Sequence, residues 1–144
     1  GFGGDGFQGA NAIAVREPSV HWSGNKALFS MVVGSPTNQY EWKDFHWQIY
    51  EVTGLQKGAA VQITKVPNQP AAFNNVSPFY ASDERVLFTS DRPRSGERHL
   101  YPQLDEYESA PTVTGIWSLN PASGALNIID HFDDGMELVK LLNG

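Results

Sequence analysis

Cysteine is absent from all 144 residues. Disulfides, thiolate metal sites, covalent haem attachment through Cys-x-x-Cys-His and cysteine nucleophiles are therefore excluded within the chain, and the redox compartment is left open. Long apolar runs are missing too. None approaches the roughly 20 residues of a membrane helix, and no basic-then-apolar segment opens the chain as a secretory signal would. Basic charge is scarce: 10 Lys and Arg against 16 Asp and Glu give a net charge of −6. Nucleic-acid binding needs clustered cations that release counterions from phosphate, and the balance here argues against it. The nearest cluster, Arg92, Arg94 and Arg98, is followed closely by Asp105, Glu106 and Glu108, which neutralise it locally. No Gly-x-Ser-x-Gly elbow is present, and none of the four histidines, at 21, 46, 99 and 131, stands at zinc-ligand spacing from another. No catalytic residue, metal-ligand set or cofactor motif is read from the chain. The opening Gly1-Phe2-Gly3-Gly4 has no initiator Met, which suggests a processed product or a piece of something longer.

What is present is a hydrophobic content of 40% with 12% aromatics, enough to build a core. It is arranged as an internal repeat. Residues 19–30 (SVHWSGNKALFS) align without a gap on residues 78–89 (PFYASDERVLFT). Downstream, Gln48-Ile49-Tyr50-Glu51-Val52 with its Gly58 turn answers Gly115-Ile116-Trp117-Ser118-Leu119 with its Gly124 turn.

Short β-branched and aromatic runs separated by turn residues predict an antiparallel all-β chain. Strands are expected at 19–22, 27–33, 48–52 and 60–64, and again at 78–80, 85–89, 115–119 and 125–129. Ser23-Gly24-Asn25 and Ser82-Asp83-Glu84 read as tight hairpin connections, and the run from Asn120 to Gly124 as a reversal. Each unit is then a four-strand meander. The second strands, Ala27-Leu28-Phe29 and Val86-Leu87-Phe88, are apolar on both alternating faces, as for strands covered on both sides. A four-stranded antiparallel sheet repeated in tandem describes two propeller blades; the alternative is a β-sandwich whose strands are alike by chance. The expected organisation is a Gly-rich arm over 1–16, one blade over 17–75, a second over 76–132, and a tail over 133–144. In the tail, Met136, Val139 and Leu142 recur at helical spacing and predict a short packing helix.

Both units carry their long insertion between the second and third strands, at 34–46 and 90–114, so both emerge at one end. Binding residues concentrate on loops held by a scaffold, which makes this end the expected site. The richer insertion offers Arg92, Arg94, His99, Tyr101, Gln103, Asp105, Glu106, Tyr107 and Glu108 as a ligand or partner surface, with tyrosines giving contact area and arginines charge. A loop this long also needs to pack on itself, and a self-satisfied loop is the structural alternative. Asp105, Glu106 and Glu108 lack the spacing of a calcium loop, and Asp130 to Asp134 reads as an exposed turn. His21, beside Trp22 and aligned with Tyr80, reads as a core histidine; facing a central channel it would bind a ligand jointly with groups from other blades.

These motifs resemble the WD-like repeats of TolB-type periplasmic propellers. That repeat has a Ser-Pro-Asp-Gly-like turn, a basic residue, an apolar-Phe-Ser/Thr strand and then an Ile-Tyr/Trp strand. Here Ser23 to Ser30 and Ser82 to Arg92 match it, with Ile49-Tyr50 and Ile116-Trp117 following. The resemblance covers residues 17–130. Segments 15–22 and 100–108 are also similar to exported bacterial proteins related to the propeller of the hydrazine synthase alpha subunit. The missing Cys-x-x-Cys-His departs from that family, so no haem chemistry transfers to any residue. The resemblance implies a non-catalytic scaffold or binding segment of a larger exported protein, periplasmic or extracellular, whose partners are another protein, remaining blades or further copies completing a ring. Its rival is a structural part of a metal- or haem-dependent oxidoreductase with catalytic groups elsewhere. Two blades are fewer than the about four that close a propeller.

Overall fold

The computed structural model describes residues 9–37, 45–92 and 115–129. A short 3-10 turn, Gly9–Asn11, precedes eight strands. The first four are β1 (Ile13–Val20), β2 (Lys26–Val33), β3 (Gln48–Thr53) and β4 (Gln62–Lys65). They are followed by β5 (Asn75–Tyr80), β6 (Val86–Ser90), β7 (Gly115–Leu119) and β8 (Leu126–Ile128). They form two four-stranded antiparallel sheets, ordered β1-β2-β3-β4 and β5-β6-β7-β8. The expected helix over 133–144 lies outside the described residues.

The repeat is real in three dimensions but is not gapless. In the second strands Leu28 corresponds to Leu87, an offset of 59; in the first strands Ser19, paired with Leu28, corresponds to Phe79, paired with Leu87, an offset of 60. The extra residue sits in the first hairpin. There His21 N–H donates to the Lys26 carbonyl, whereas Ala81 N–H donates to that of Arg85, one residue sooner. Gly24 at φ 69° and Glu84 at φ 66° occupy the same left-handed turn position. A glutamate there gives no composition signal, and the alignment slips by one.

β1 starts at Ile13, well before the expected Ser19. The Glu17-Pro18 pair looks like a strand breaker because proline donates no ladder hydrogen bond. A bulge absorbs it: pairing shifts between Arg16 and Ser19, with Glu17 at φ 56°. β5 repeats the device at Ser77-Pro78, where pairing shifts between Val76 and Phe79 and Ser77 has φ 52°.

Paired residues of adjacent strands project to one face, and the two sheets use opposite faces to meet. Sheet 1 presents Leu28 and Ile49; sheet 2 presents Val86, Phe88, Trp117 and Leu119, whose equivalents in sheet 1 point away. The packing is face to back. With Val66 these residues form one buried cluster, in which Leu28, Ile49, Phe88 and Leu119 are at most 1% exposed. Each such side chain contributes about 1.5–3 kcal/mol on burial.

β4 is short, and side chains complete its ladder. The Gln69 amide stands beside Ile49 as another strand would: Ile49 N–H donates to Gln69 Oε1 at 2.7 Å, and Gln69 Nε2 donates to the Ile49 carbonyl at 2.9 Å and to that of Val66 at 2.7 Å. Asn75 extends this buried network, donating to the Pro70 carbonyl at 2.8 Å and accepting from Ser90 Oγ at 2.9 Å.

Candidate functional site

The seam between the sheets opens into a cleft at each end. At the hairpin end the second unit's turn reaches back onto the first. Glu84 accepts from Lys26 Nζ and from His21 Nε2, both at 3.0 Å. Tyr80 Oη donates to Glu51 Oε1 at 2.8 Å, Lys26 Nζ lies 3.6 Å from the same oxygen, and its ammonium stands 4.8 Å from the Tyr80 ring centre. Lys26 thus fills its own cage of two carboxylates and a phenol ring. The Lys26 and His21 bonds hold the Glu84 carboxyl below the usual range. Burial pushes the Tyr80 phenol up, and the bond to Glu51 and the charges of Glu51 and Glu84 add to it. A cleft of about 440 Å³ adjoins this cluster, walled by Thr64, Val66 and Pro67 on one side and Asn120, Pro121 and Ala122 on the other.

His21 is 6% exposed, and its ring centre lies 3.8 Å from that of Trp22 with the planes tilted by 35°. Ser23 Oγ lies 2.8 Å from Nδ1, so Ser23, His21 and Glu84 stand in the order of a nucleophile, base and acid. The bonding is that of a capped turn. Nδ1 also accepts Ser23's own N–H at 3.1 Å, which assigns the Nε2–H tautomer donating to Glu84. Gly24 N–H is spent on the His21 carbonyl and Asn25 N–H on Ser23 Oγ, leaving neither neighbouring amide to receive an oxyanion.

The insertion end is organised by Asn74. Its Oδ1 accepts from Trp47 N–H at 3.0 Å, while its own N–H and Nδ2 donate to the two oxygens of Asp91, each at 2.7 Å. This ties the start of β3 to the end of β6, where the two insertions leave the sheets. Arg16 stacks on Trp47, guanidinium carbon 4.2 Å from the ring centre, and Arg92 stacks on Trp117 at 5.0 Å. Arg16 Nε lies 3.6 Å from Glu17, and Arg16 and Asp91 both line a cleft of about 490 Å³ formed with Phe45, Trp47, Val76 and Thr89. An Arg held on an aromatic plane is a pre-organised fork for carboxylate or phosphate.

Of the residues expected to bind, His21 lies at the hairpin end and Arg92 at the insertion end, so the fold does not bring these two together. Arg94, His99, Tyr101, Gln103, Asp105, Glu106, Tyr107 and Glu108 lie outside the described residues. Arg16, Trp47, Asn74 and Asp91 were not singled out by sequence; only the aromatic Trp47 beside the first insertion signals them. Among the described residues, no three His, Asp or Glu side chains gather as a metal site, and no helix is long and apolar enough to cross a membrane.

The described residues are mostly strand and form two equivalent four-stranded antiparallel sheets packed face to back. No protein-family model, curated protein or solved structure matches the chain.

Proposed function

We propose that the chain is a non-catalytic scaffold and binding segment, a pair of β-propeller blades that engages a protein partner through its insertion end. The observation that carries this reading is the face-to-back packing of two equivalent sheets. A sandwich of chance-like strands packs like face on like face, whereas tandem blades use opposite faces, as these do. At the insertion end, the Asn74 network fixes the roots of both long loops, and the stacked Arg16 and Trp47 supply the residue types that dominate protein interfaces. The hairpin end differs: its charged groups are satisfied by one another. Placement in an exported bacterial protein rests on the resemblance of residues 17–130 to periplasmic repeats.

A photo-crosslinking residue at Val76, beside the Arg16 cleft, is compared with one at Thr64, beside the Lys26 cage, in cells making the protein at its native level. Adducts of defined mass are expected from Val76 alone. Equal adducts from both positions, or from Thr64 only, contradict the reading.

A further inference from the structure

The cleft at the insertion end is lined by one cation and one anion that are not each other's partners. Arg16 reaches it from sheet 1 and Asp91 from just past β6 in sheet 2, and among the described residues no ion pair joins them. Each is instead fixed by a neighbour. The Arg16 guanidinium lies over the Trp47 ring at 4.2 Å with Nε toward Glu17 at 3.6 Å, and the side chain is 45% exposed. Asp91 takes one N–H bond from Asn74 on each oxygen, both at 2.7 Å. A carboxylate oxygen has two acceptor sites, so each keeps one.

Asn74 and Ser90, which also line the cleft, are already spent on the chain itself. Asn74 Oδ1 accepts from Trp47 N–H and Nδ2 donates to Asp91, while Ser90 Oγ donates to Asn75 Oδ1 and accepts from Arg92 N–H. The cleft therefore offers N–H donors from sheet 1, carboxylate acceptor sites from sheet 2, and the apolar surface of Phe45, Trp47 and Val76.

That combination selects against ions. An anion drawn to Arg16 enters a cleft that also holds the Asp91 charge, and a cation drawn to Asp91 enters one that holds Arg16. A charge left unbalanced in a partly desolvated site is costly. A neutral group that carries both an acceptor and a donor satisfies both sides, and the peptide unit is such a group. In a helix its N–H and C=O are bonded within the segment, whereas an extended segment leaves them free to face a neighbour. A volume of about 490 Å³ is that of a ligand site.

We infer that the insertion-end cleft binds an extended peptide segment by its main chain, Arg16 donating to a carbonyl oxygen and Asp91 accepting an amide N–H, with Phe45 and Trp47 against an apolar side chain. This rests on the partner-binding reading of the same end and names the kind of ligand that reading leaves open.

A random dodecapeptide library displayed on phage is selected against the full chain, and recovered peptides are synthesised with both ends capped. Each amide is then N-methylated in turn, which removes one N–H and leaves every side chain in place. Binding to the wild type is expected to fall about tenfold or more at one or two amides, as for loss of a hydrogen bond to a charged group. Arg16→Ala is expected to weaken binding by a similar factor, and Asp91→Asn to erase the effect of the sensitive N-methylation. The scan on the wild type needs no variant, so misfolding of Asp91→Asn does not blunt it. A flat scan, with the loss confined to one charged side chain of the peptide, overturns the inference in favour of an ion-pair site. Full displacement by free glycine or acetamide at the peptide's own concentration overturns it in favour of a small ligand. Unchanged binding to folded Arg16→Ala places the peptide elsewhere and overturns it too. Recovery of no peptide also overturns it, while the partner reading is judged apart by the Val76 adducts: adducts without peptides mean a folded partner surface, and only the extended segment fails.

Discussion

Glu17 and Ser77 hold the same bulge position in equivalent strands, and the carboxylate of one accepts the backbone N–H of the other at 2.7 Å. Ser30 Oγ donates to the same oxygen at 3.2 Å. Burial pushes the Glu17 carboxyl up, but the Ser77 N–H, the Arg16 charge and the Ser30 hydroxyl outweigh it and leave it below its ordinary value. A carboxyl lowered in the folded state stabilises above its unfolded pKa, and that stability is lost as pH falls through the folded value. Glu17→Ala is expected to cost about 1–2 kcal/mol in urea unfolding at pH 7. At pH 3 the difference from wild type is expected to shrink.

Tyr80 and Glu51 give the opposite sign. A phenol whose folded pKa is raised stabilises below the unfolded value of about 10, and the contribution is lost as pH rises beyond it. Wild-type stability is expected to fall above about pH 10 more steeply than that of Tyr80→Phe. At neutral pH, a double-mutant cycle of Tyr80→Phe with Glu51→Gln is expected to return a coupling of about 1–2 kcal/mol. Additive effects would mean that the bond does not join the sheets.

The buried Gln69 amide completes a backbone ladder at the edge of β3. Gln69→Leu keeps the volume but strands the buried N–H of Ile49 and takes a donor from the Val66 carbonyl, while the Ile49 carbonyl keeps the Val66 N–H. The expected loss is about 2–4 kcal/mol in denaturant unfolding. Gln69→Glu, keeping only the acceptor, is expected to be no better tolerated.

Two glycines of the β3–β4 connection separate backbone strain from steric conflict. Both have positive φ, 76° at Gly54 and 86° at Gly58. A Cβ on Gly54 runs into the Ala60 carbonyl oxygen, whereas one on Gly58 meets nothing within 4 Å. Gly58→Ala is expected to cost only the left-handed strain, about 1–2 kcal/mol, and Gly54→Ala distinctly more, read as the difference in thermal midpoint.

Strand content, strand order and the insertion points were legible because they follow from alternation and turn chemistry, which act locally. Leu28, Ile49, Phe88 and Trp117 announced buried strands by residue type alone. The one-residue slip between the hairpins was not legible, since Glu84 takes a backbone conformation that glycine usually marks. The early start of β1 was hidden because Pro18 suppresses a strand prediction unless its bulge is known. The seam cluster was hidden for another reason: Glu84 and His21 are 63 residues apart, and only the face-to-back packing makes them neighbours. At the insertion end, Asn74 and Asp91 have no motif, because their role is to satisfy backbone rather than to perform chemistry.

The central claim is that two equivalent sheets share one core at the seam, so that damage on one side is felt on the other. Leu28 belongs to sheet 1, is fully buried, and packs in the cluster with Phe88 and Trp117 of sheet 2. Leu28→Ala is expected to cost about 2–5 kcal/mol. Native-state amide hydrogen exchange, residue by residue, measures where that loss falls. The account predicts that the amides of Phe88, Trp117 and Leu119 lose as much protection as that of Ile49. Sheet 2 amides keeping their wild-type protection while only sheet 1 loosens would contradict it.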